Sequence, residues 1–156
     1  MRLTTQSEYA LICLKFLCNK GGLARPVSVD VVADEESMSK DYLQQIFLKL
    51  KRAGILRTAR GVHGGYCLAR DPSEITVKEV IEALEGNVYE VFCSPEIREK
   101  IVCMHFSRCS LRPVWLRFRE LADQFFSKIT LAMLLKDEAE VASEIGVSDG
   151  KSGKRA

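Results

Sequence analysis

A basic, glycine-rich hairpin pattern directly after two short amphipathic segments is the feature that most constrains the fold. Residues 55–59 and 66–69 have strand-like composition, and the segment Arg60–Gly65 between them contains glycines that permit a tight turn. Before it, Ser28 and Ser39 can each cap a helix, with a tight turn at 36–38 between the two helices. Two short helices, a tight turn and such a hairpin are typical of a winged helix-turn-helix.

The exposed side of the second of these helices carries groups that can read DNA. Its buried face is predicted to contain Leu43, Ile46, Phe47 and Leu50, which leaves Gln44 and Gln45 exposed. Gln can pair bidentately with adenine in the major groove, so both are predicted base contacts. Phosphate contacts are predicted at the helix start, at Ser39, Lys40 and Tyr42. Arg60 is the cation predicted to enter the minor groove, and the predicted wing tip contains His63, Gly64 and Gly65.

The distribution of charge gives weaker support to this interpretation. The formal net charge is only +2, but between Lys40 and Arg70 there are seven basic residues and one acidic residue. Such clustering is typical of a phosphate-binding surface, although surface lysines also serve solubility. An ordinary surface hairpin is the alternative to a wing. We favour the wing because the hairpin and the helix-turn-helix support each other.

The remaining sequence indicates four regions. Residues 1–86 are the predicted DNA-binding domain; they include a first helix with apolar positions at Tyr9, Ile12, Cys13, Phe16 and Leu17 and a capping box at Thr76 and Glu79. Residues 87–112 carry three cysteines. Residues 113–136 are a predicted dimerisation region, and 137–156 a predicted disordered tail. The predicted fold class is mainly α with a small β-hairpin, a winged helix-turn-helix followed by a long helix.

The long helix is predicted to begin with Pro113 at its first position. Its apolar stripe is unusually aromatic and consists of Trp115, Phe118, Leu121, Ala122, Phe125, Phe126 and Ile129. Packing within one chain is one use of this stripe. A homodimer contact is the other and is favoured, because two-fold symmetry suits a palindromic DNA site.

Composition limits where the protein works. The chain has 156 residues, of which 47% are hydrophobic and 28% charged, as in ordinary globular proteins. No apolar run approaches the ~20 residues needed to cross a membrane, and the start lacks the features of a secretory signal. A cytoplasmic location is expected. In that compartment the six cysteines favour metal or redox chemistry over structural disulfides.

Three of the cysteines, Cys93, Cys103 and Cys109, follow one another with the spacing Cys-x9-Cys-x5-Cys. Zinc sites usually show shorter pairs, whereas iron–sulfur clusters tolerate irregular spacing, so a cluster is favoured while zinc remains open. His105 lies between the second and third cysteines and is a further candidate ligand. Cys13 is predicted to be buried as a small hydrophobe, and Cys18 and Cys67 show no partner pattern.

At these residues the chain resembles the winged-helix iron–sulfur transcription regulators typified by IscR, NsrR and RirA. The similarity runs from Met1 to about Leu135, through MRLTTQSEYAL, SMSKDYLQQIFLKLKRAGIL, RGVHGGYCLARDPSEIT, the three cysteines and RPVWLRF…ITLAMLL. It implies a homodimer with swapped long helices, double-stranded DNA as partner, and an iron–sulfur cluster held by Cys93, Cys103 and Cys109. Of the two common cluster types, [4Fe–4S] is favoured over [2Fe–2S]. Cluster-free members of the CymR type lack the three cysteines.

Two departures from this family pattern bear on the ligand set. The x9 gap is longer than in the named members, and Arg112 stands where the IscR type places a histidine ligand. NsrR-like members use a carboxylate from the first helix of the partner subunit, and Glu8 stands at the matching position. The resemblance therefore implies Glu8 as the fourth ligand.

These observations predict a cytoplasmic, homodimeric transcription regulator, a repressor controlled by an iron–sulfur cluster that senses nitric oxide, redox state or iron supply. No membrane association and no enzymatic activity are expected, because no catalytic motif is present. Two alternatives remain open: a cluster-free thiol or metal sensor, and a metal or redox protein that uses the winged helix as a scaffold.

Overall fold

Helices and one antiparallel hairpin build the part of the chain that the computed structural model describes, residues 4–61, 64–86 and 109–147. The helices there are α1 Thr5–Lys20, α2 Val29–Glu35, α3 Lys40–Arg52, α4 Val77–Glu85, α5 Leu111–Lys128, α6 Leu131–Leu134 and α7 Glu138–Ile145. Strands β1 Leu56–Ala59 and β2 Gly65–Leu68 form the hairpin, and a short 3-10 helix spans Pro72–Glu74. The predicted fold class is confirmed.

Capping side chains set several of the helix starts. The Ser28 hydroxyl accepts from the Val31 amide at 3.3 Å, and Thr76 and Glu79 form the predicted capping box at the start of α4. Thr130 accepts from the Met133 amide and so begins α6. Ser39 occupies the cap position of α3, but its side chain makes no capping hydrogen bond. That hydroxyl remains available for another partner.

The helix-turn-helix is held together by its turn and by a shared core. Ser37 adopts a left-handed φ of 53°, and the Met38 amide donates to the Ala33 carbonyl at 2.9 Å. The buried residues of α3 are the four predicted from its periodicity, Leu43, Ile46, Phe47 and Leu50. Each fully buried side chain of this size contributes about 1.5–3 kcal/mol relative to exposure, so α3 is rigidly seated and presents a fixed outer face.

The first helix is rotated relative to the expectation. Its buried positions are Ser7, Ala10, Cys13, Leu14 and Leu17, whereas Ile12 is exposed and Tyr9 and Phe16 are half-buried. The spacing of the large apolar residues does not reveal this face, because two of its members, Ser7 and Ala10, are small. Ser7 can be buried because its hydroxyl donates a hydrogen bond to the Glu85 carboxylate at the end of α4.

Two other expectations about the C-terminal part were wrong. Helix α5 begins at Leu111, so Pro113 is its third residue and not its first; the first turn tolerates proline because its amides have no intrahelical acceptor. Residues 138–145 of the predicted disordered tail form α7, which begins with a capping box between Asp137 and Glu140. Residues 148–156 of the tail lie outside the described residues.

Within the described residues, no helix combines the length and apolar character that crossing a bilayer requires.

Candidate nucleic-acid interface and cysteine site

The outer face of α3 carries the predicted base-reading residues. Gln44 and Gln45 are both exposed, as are Ser39 and Lys40 at the helix start. Tyr42 is half-buried and packs edge-on against Tyr9, with ring centroids 5.9 Å apart. Its ring therefore helps hold α3 on α1, while the helix start remains open to a phosphate-bearing partner.

Lys40 is not isolated at the surface. Its ammonium group forms an ion pair with the Asp30 carboxylate on α2, and this hydrogen bond raises the pKa of Lys40. Both side chains are largely exposed, and such surface pairs contribute little to stability. Lys40 therefore stays charged and can exchange Asp30 for a phosphate at small cost.

The wing is built by close backbone approaches at two glycines. A Cβ on Gly64 would lie 2.7 Å from the Ala59 carbonyl oxygen, and one on Gly65 would lie 2.3 Å from that of Val27. Side chains are therefore excluded at both positions, and β2 can pair with the backbone at Val27. Arg60 is exposed where β1 ends, as the wing prediction requires. His63 lies outside the described residues.

The basic cluster of the sequence divides into two groups in the structure. Besides Lys40 with Asp30, three have partners within the chain: Lys49 bonds Gln6 and Leu84, Arg57 bonds the Leu23 carbonyl, and Arg70 bonds Glu79. Lys51 and Arg52 are exposed at the end of α3, and Arg60 at the wing. The candidate DNA surface is thus less basic than the sequence suggested, and it extends from the start of α3 to the wing.

One residue of this surface was missed by the sequence reasoning. Leu48 lies one helical turn after Gln44 and is 43% exposed, among polar and basic neighbours. The signal was present in the sequence, because a leucine outside the buried set of an amphipathic helix must face outward.

Two members of the predicted metal-binding set are described, Cys109 and Glu8. Cys109 is a free, partly exposed thiol just before α5, and Glu8 is exposed in the first turn of α1. Cys93, Cys103 and His105 lie outside the described residues. Among residues 4–61, 64–86 and 109–147, no three His, Cys, Asp or Glu side chains come together to hold a metal ion. Both described donors are accessible and of a suitable chemical type for an iron–sulfur site.

The cysteines outside the triad are less suited to ligation. Cys13 is buried, as predicted, and burial, aided by the nearby Glu36 charge, raises its pKa to about 12. Burial also raises the pKa of the half-buried Cys18. Cys67 is buried in β2. Because the thiolate is the metal-binding form, Cys13 and Cys18 are poor ligands.

Helix α5 exposes most of its apolar stripe. Trp115, Phe118, Leu121 and Phe125 are between 38% and 49% exposed, whereas Ile129 is buried. A 2.5 Å ion pair between Lys78 and Asp123 joins α4 to this helix. The stripe is larger than the scattered apolar residues usual on a protein surface, which is typical of a contact with another molecule.

The seated α3, its exposed polar face and the adjoining wing define a winged-helix DNA-binding protein. A family model described as "Rrf2: Iron-dependent Transcriptional regulator" matches residues 3–137. The chain therefore belongs to the Rrf2 family of transcriptional regulators, and the resemblance inferred from the sequence is confirmed at that level.

Individual relatives agree with this assignment. The chain is 32% identical over 140 residues to the HTH-type transcriptional regulator IscR of Serratia proteamaculans, covering 88% of this chain and 81% of that protein. Its structure is similar to CymR, the global cysteine regulator of B. subtilis, with a TM-score of 0.70, 28% identity and coverage of 88% and 99%. It is also similar to T. potens IscR, with a TM-score of 0.65, 28% identity and coverage of 89% and 90%.

Proposed function

We propose that this transcriptional regulator binds a palindromic operator as a homodimer, and that an iron–sulfur cluster held by Cys93, Cys103 and Cys109 controls its binding. The observation that carries the proposal is the position of Cys109, the last member of the triad. It is an accessible thiol just before α5, whose apolar face is exposed, in a chain whose family is described as iron-dependent.

The exposed stripe of α5 supports the homodimer. Two copies of this face could bury aromatic and aliphatic side chains against each other, and removing such surface from water stabilises an interface by roughly 25 cal/mol per Å². A two-fold axis would also place two α3 helices one helical turn of DNA apart, about 34 Å, as a palindromic site requires. Repression is the simplest consequence of occupying an operator.

Glu8 is our candidate for the fourth ligand of a [4Fe–4S] cluster. Three thiolates leave one iron open, and the Arg112 guanidinium has no lone pair to give it. Glu8 is an accessible carboxylate, and it would act across the dimer on the partner's triad. Because a carboxylate is a harder ligand than a thiolate, this corner would be where nitric oxide or another small reactive molecule enters.

A cluster-free thiol sensor is the second candidate. Similarity to CymR favours it, since one similar structure is that of the oxidised form of Staphylococcus aureus CymR, at a TM-score of 0.63 and 27% identity. In that case the thiols themselves would be oxidised and would change DNA binding. A redox or storage protein on a winged-helix scaffold would bind the metal without any specific DNA affinity.

Anaerobic purification with iron and acid-labile sulfide analysis, followed by DNA titration of the loaded and metal-free forms, separates these functions. We expect iron and sulfide in the wild type, most of it lost in Cys93→Ala, Cys103→Ala and Cys109→Ala, because each thiolate holds one iron. Cys18→Ala is the matched control and should keep the cluster. A full cluster in Cys103→Ala would contradict the triad. Iron-free protein whose DNA affinity changes on treatment with an oxidant would support the thiol sensor.

A further inference from the structure

Leu48 stands out on the face of α3 that we propose reads DNA. It is 43% exposed, although the residues on either side of it in the sequence contribute to burial: Phe47 is fully buried and Lys49 points toward α1 and α4. Single exposed leucines are ordinary on protein surfaces and need no explanation by themselves. Leu48 differs from them because it lies on the face of α3 that we propose contacts DNA.

Gln44, Leu48 and Lys51 follow the spacing i, i+4, i+7 and so form one stripe along the outer side of α3. All three are exposed. A helix lying in the major groove with Gln44 toward the bases therefore brings Leu48 toward them as well. Leu48 has no polar atom in its side chain, so it can neither bind a phosphate nor satisfy a base donor or acceptor.

The major groove offers one apolar group that a leucine can recognise, the C5-methyl group of thymine. We propose that Leu48 is a specificity-determining residue that contacts a thymine methyl in each half-site. This rests on the proposed placement of α3 in the major groove. One helical turn is 5.4 Å and base pairs are 3.4 Å apart, so the thymine lies about one or two base pairs from the base read by Gln44.

The experiment removes the methyl group and the leucine separately. A duplex of about 30 base pairs, spanning two half-sites, is selected from random DNA with the full-length protein in its DNA-binding form. Each thymine is then replaced in turn by deoxyuridine, which differs only by the C5-methyl. Binding is measured by fluorescence anisotropy for the wild type, Leu48→Ala and Val31→Ala. Val31 on α2 is the matched control, since it is also 43% exposed but lies outside the stripe.

We expect one thymine per half-site whose replacement weakens wild-type binding roughly fourfold, the value of one buried methyl-sized group. Leu48→Ala should lose affinity for the thymine duplex and become insensitive to deoxyuridine at that position only. Val31→Ala should keep the wild-type sensitivity at every position.

Two results would overturn the inference. In one, no deoxyuridine position distinguishes Leu48→Ala from the wild type. In the other, Leu48→Ala weakens all duplexes alike, which indicates a contact with the sugar–phosphate backbone. Gln44→Ala separates a failure here from a failure of the placement of α3: if it still relaxes specificity, α3 reads the DNA and only the role of Leu48 is wrong.

Discussion

The ammonium group of Lys49 on α3 donates a 2.7 Å hydrogen bond to the side-chain oxygen of Gln6 on α1. It donates a second, of 3.2 Å, to the main-chain carbonyl of Leu84 on α4. Glu8, the candidate cluster ligand, lies two residues after Gln6 in the sequence, and the cysteine segment starts at residue 87, three residues after Leu84. One side chain of the candidate DNA-reading helix thus joins α3 to α1, which carries Glu8, and to α4, which precedes the cysteine segment in the sequence.

Replacing Lys49 by methionine should destabilise the domain by about 1–2 kcal/mol, because two hydrogen bonds from a charged donor are lost and the Leu84 carbonyl loses a partner. The measurement is urea denaturation followed by circular dichroism. Lys51→Met, on the exposed side of the same helix, is the control and should change the free energy of unfolding by less than about 0.5 kcal/mol. Equal stability of the two variants would contradict a role for the Lys49 contacts.

The same junction contains an acid-sensitive contact at Glu85. Burial acts to raise the pKa of this carboxyl, but hydrogen bonds from the Thr4 and Ser7 hydroxyls and the Lys49 charge outweigh it, so the pKa is lowered. The Ser7 hydroxyl donates at 2.8 Å. A lowered pKa means that the unfolded chain takes up the proton first, so the stabilisation is present above the ordinary pKa and lost as pH falls.

Glu85→Gln keeps an oxygen that can accept from both hydroxyls and loses only the charge, which water partly screens. It should therefore cost roughly 0.5–1 kcal/mol at pH 7, and this difference from the wild type should shrink below about pH 4.3, the ordinary glutamate value. Denaturation curves at pH 7, 5, 4 and 3 give the profile. Glu74→Gln, which removes an exposed carboxylate outside this junction, serves as the control for the loss of a surface charge. A Glu85→Gln difference that is independent of pH would mean that the charge of Glu85 is unimportant.

The core of the DNA-binding domain could be predicted from the sequence because burial follows helical period. The four apolar positions of α3 and the capping hydroxyls of Ser28 and Thr76 depend only on neighbours in the chain. The same local reasoning applies to α7, since Asp137 and Glu140 have capping-box spacing, although the polar composition of the tail predicts disorder.

Contacts between distant residues could not be predicted in this way. Nothing near Lys49 in the sequence indicates that it turns inward to α1 and α4, or that Arg57 binds the Leu23 carbonyl. Counting charges along the chain therefore overstated the basic surface. The triad was recognisable by residue type, but Cys93 and Cys103 lie outside the described residues, so its geometry stays a prediction.

Replacing Gln44 and replacing Lys40 should change DNA affinity in different ways. Gln44→Ala should cost about 1–3 kcal/mol at a cognate site and relax specificity there, because a bidentate pair with adenine would be lost. Lys40→Ala should weaken all sequences alike and reduce the salt dependence by about one phosphate contact. Titrations of cognate and scrambled duplexes at several salt concentrations test both. Unchanged affinities for both duplexes in Gln44→Ala would refute the placement of α3.

The oligomeric state can be tested on α5. Phe118→Glu would place two like charges at the proposed symmetric interface, and we expect dimer affinity to fall by roughly a hundredfold or more. Ser127 lies two and a half turns further on, on the opposite side of the helix, and is exposed, so Ser127→Glu is the matched control. Light scattering across micromolar concentrations gives the masses. A Phe118→Glu dimer as stable as that of the control would remove this face from the interface.

The proposed fourth ligand is tested by Glu8→Ala. Glu8 is exposed in the first turn of α1, so its removal should leave folding unchanged and leave the three cysteines to hold the cluster. The iron that Glu8 would bind would then lack its carboxylate ligand. We expect full iron and sulfide after anaerobic purification, but faster loss of the cluster absorbance in air or nitric oxide. Lys15→Ala, exposed further along the same helix, is the control for general effects of removing surface charge. An unchanged cluster lifetime and spectrum in Glu8→Ala would exclude Glu8 and make His105 the next residue to replace.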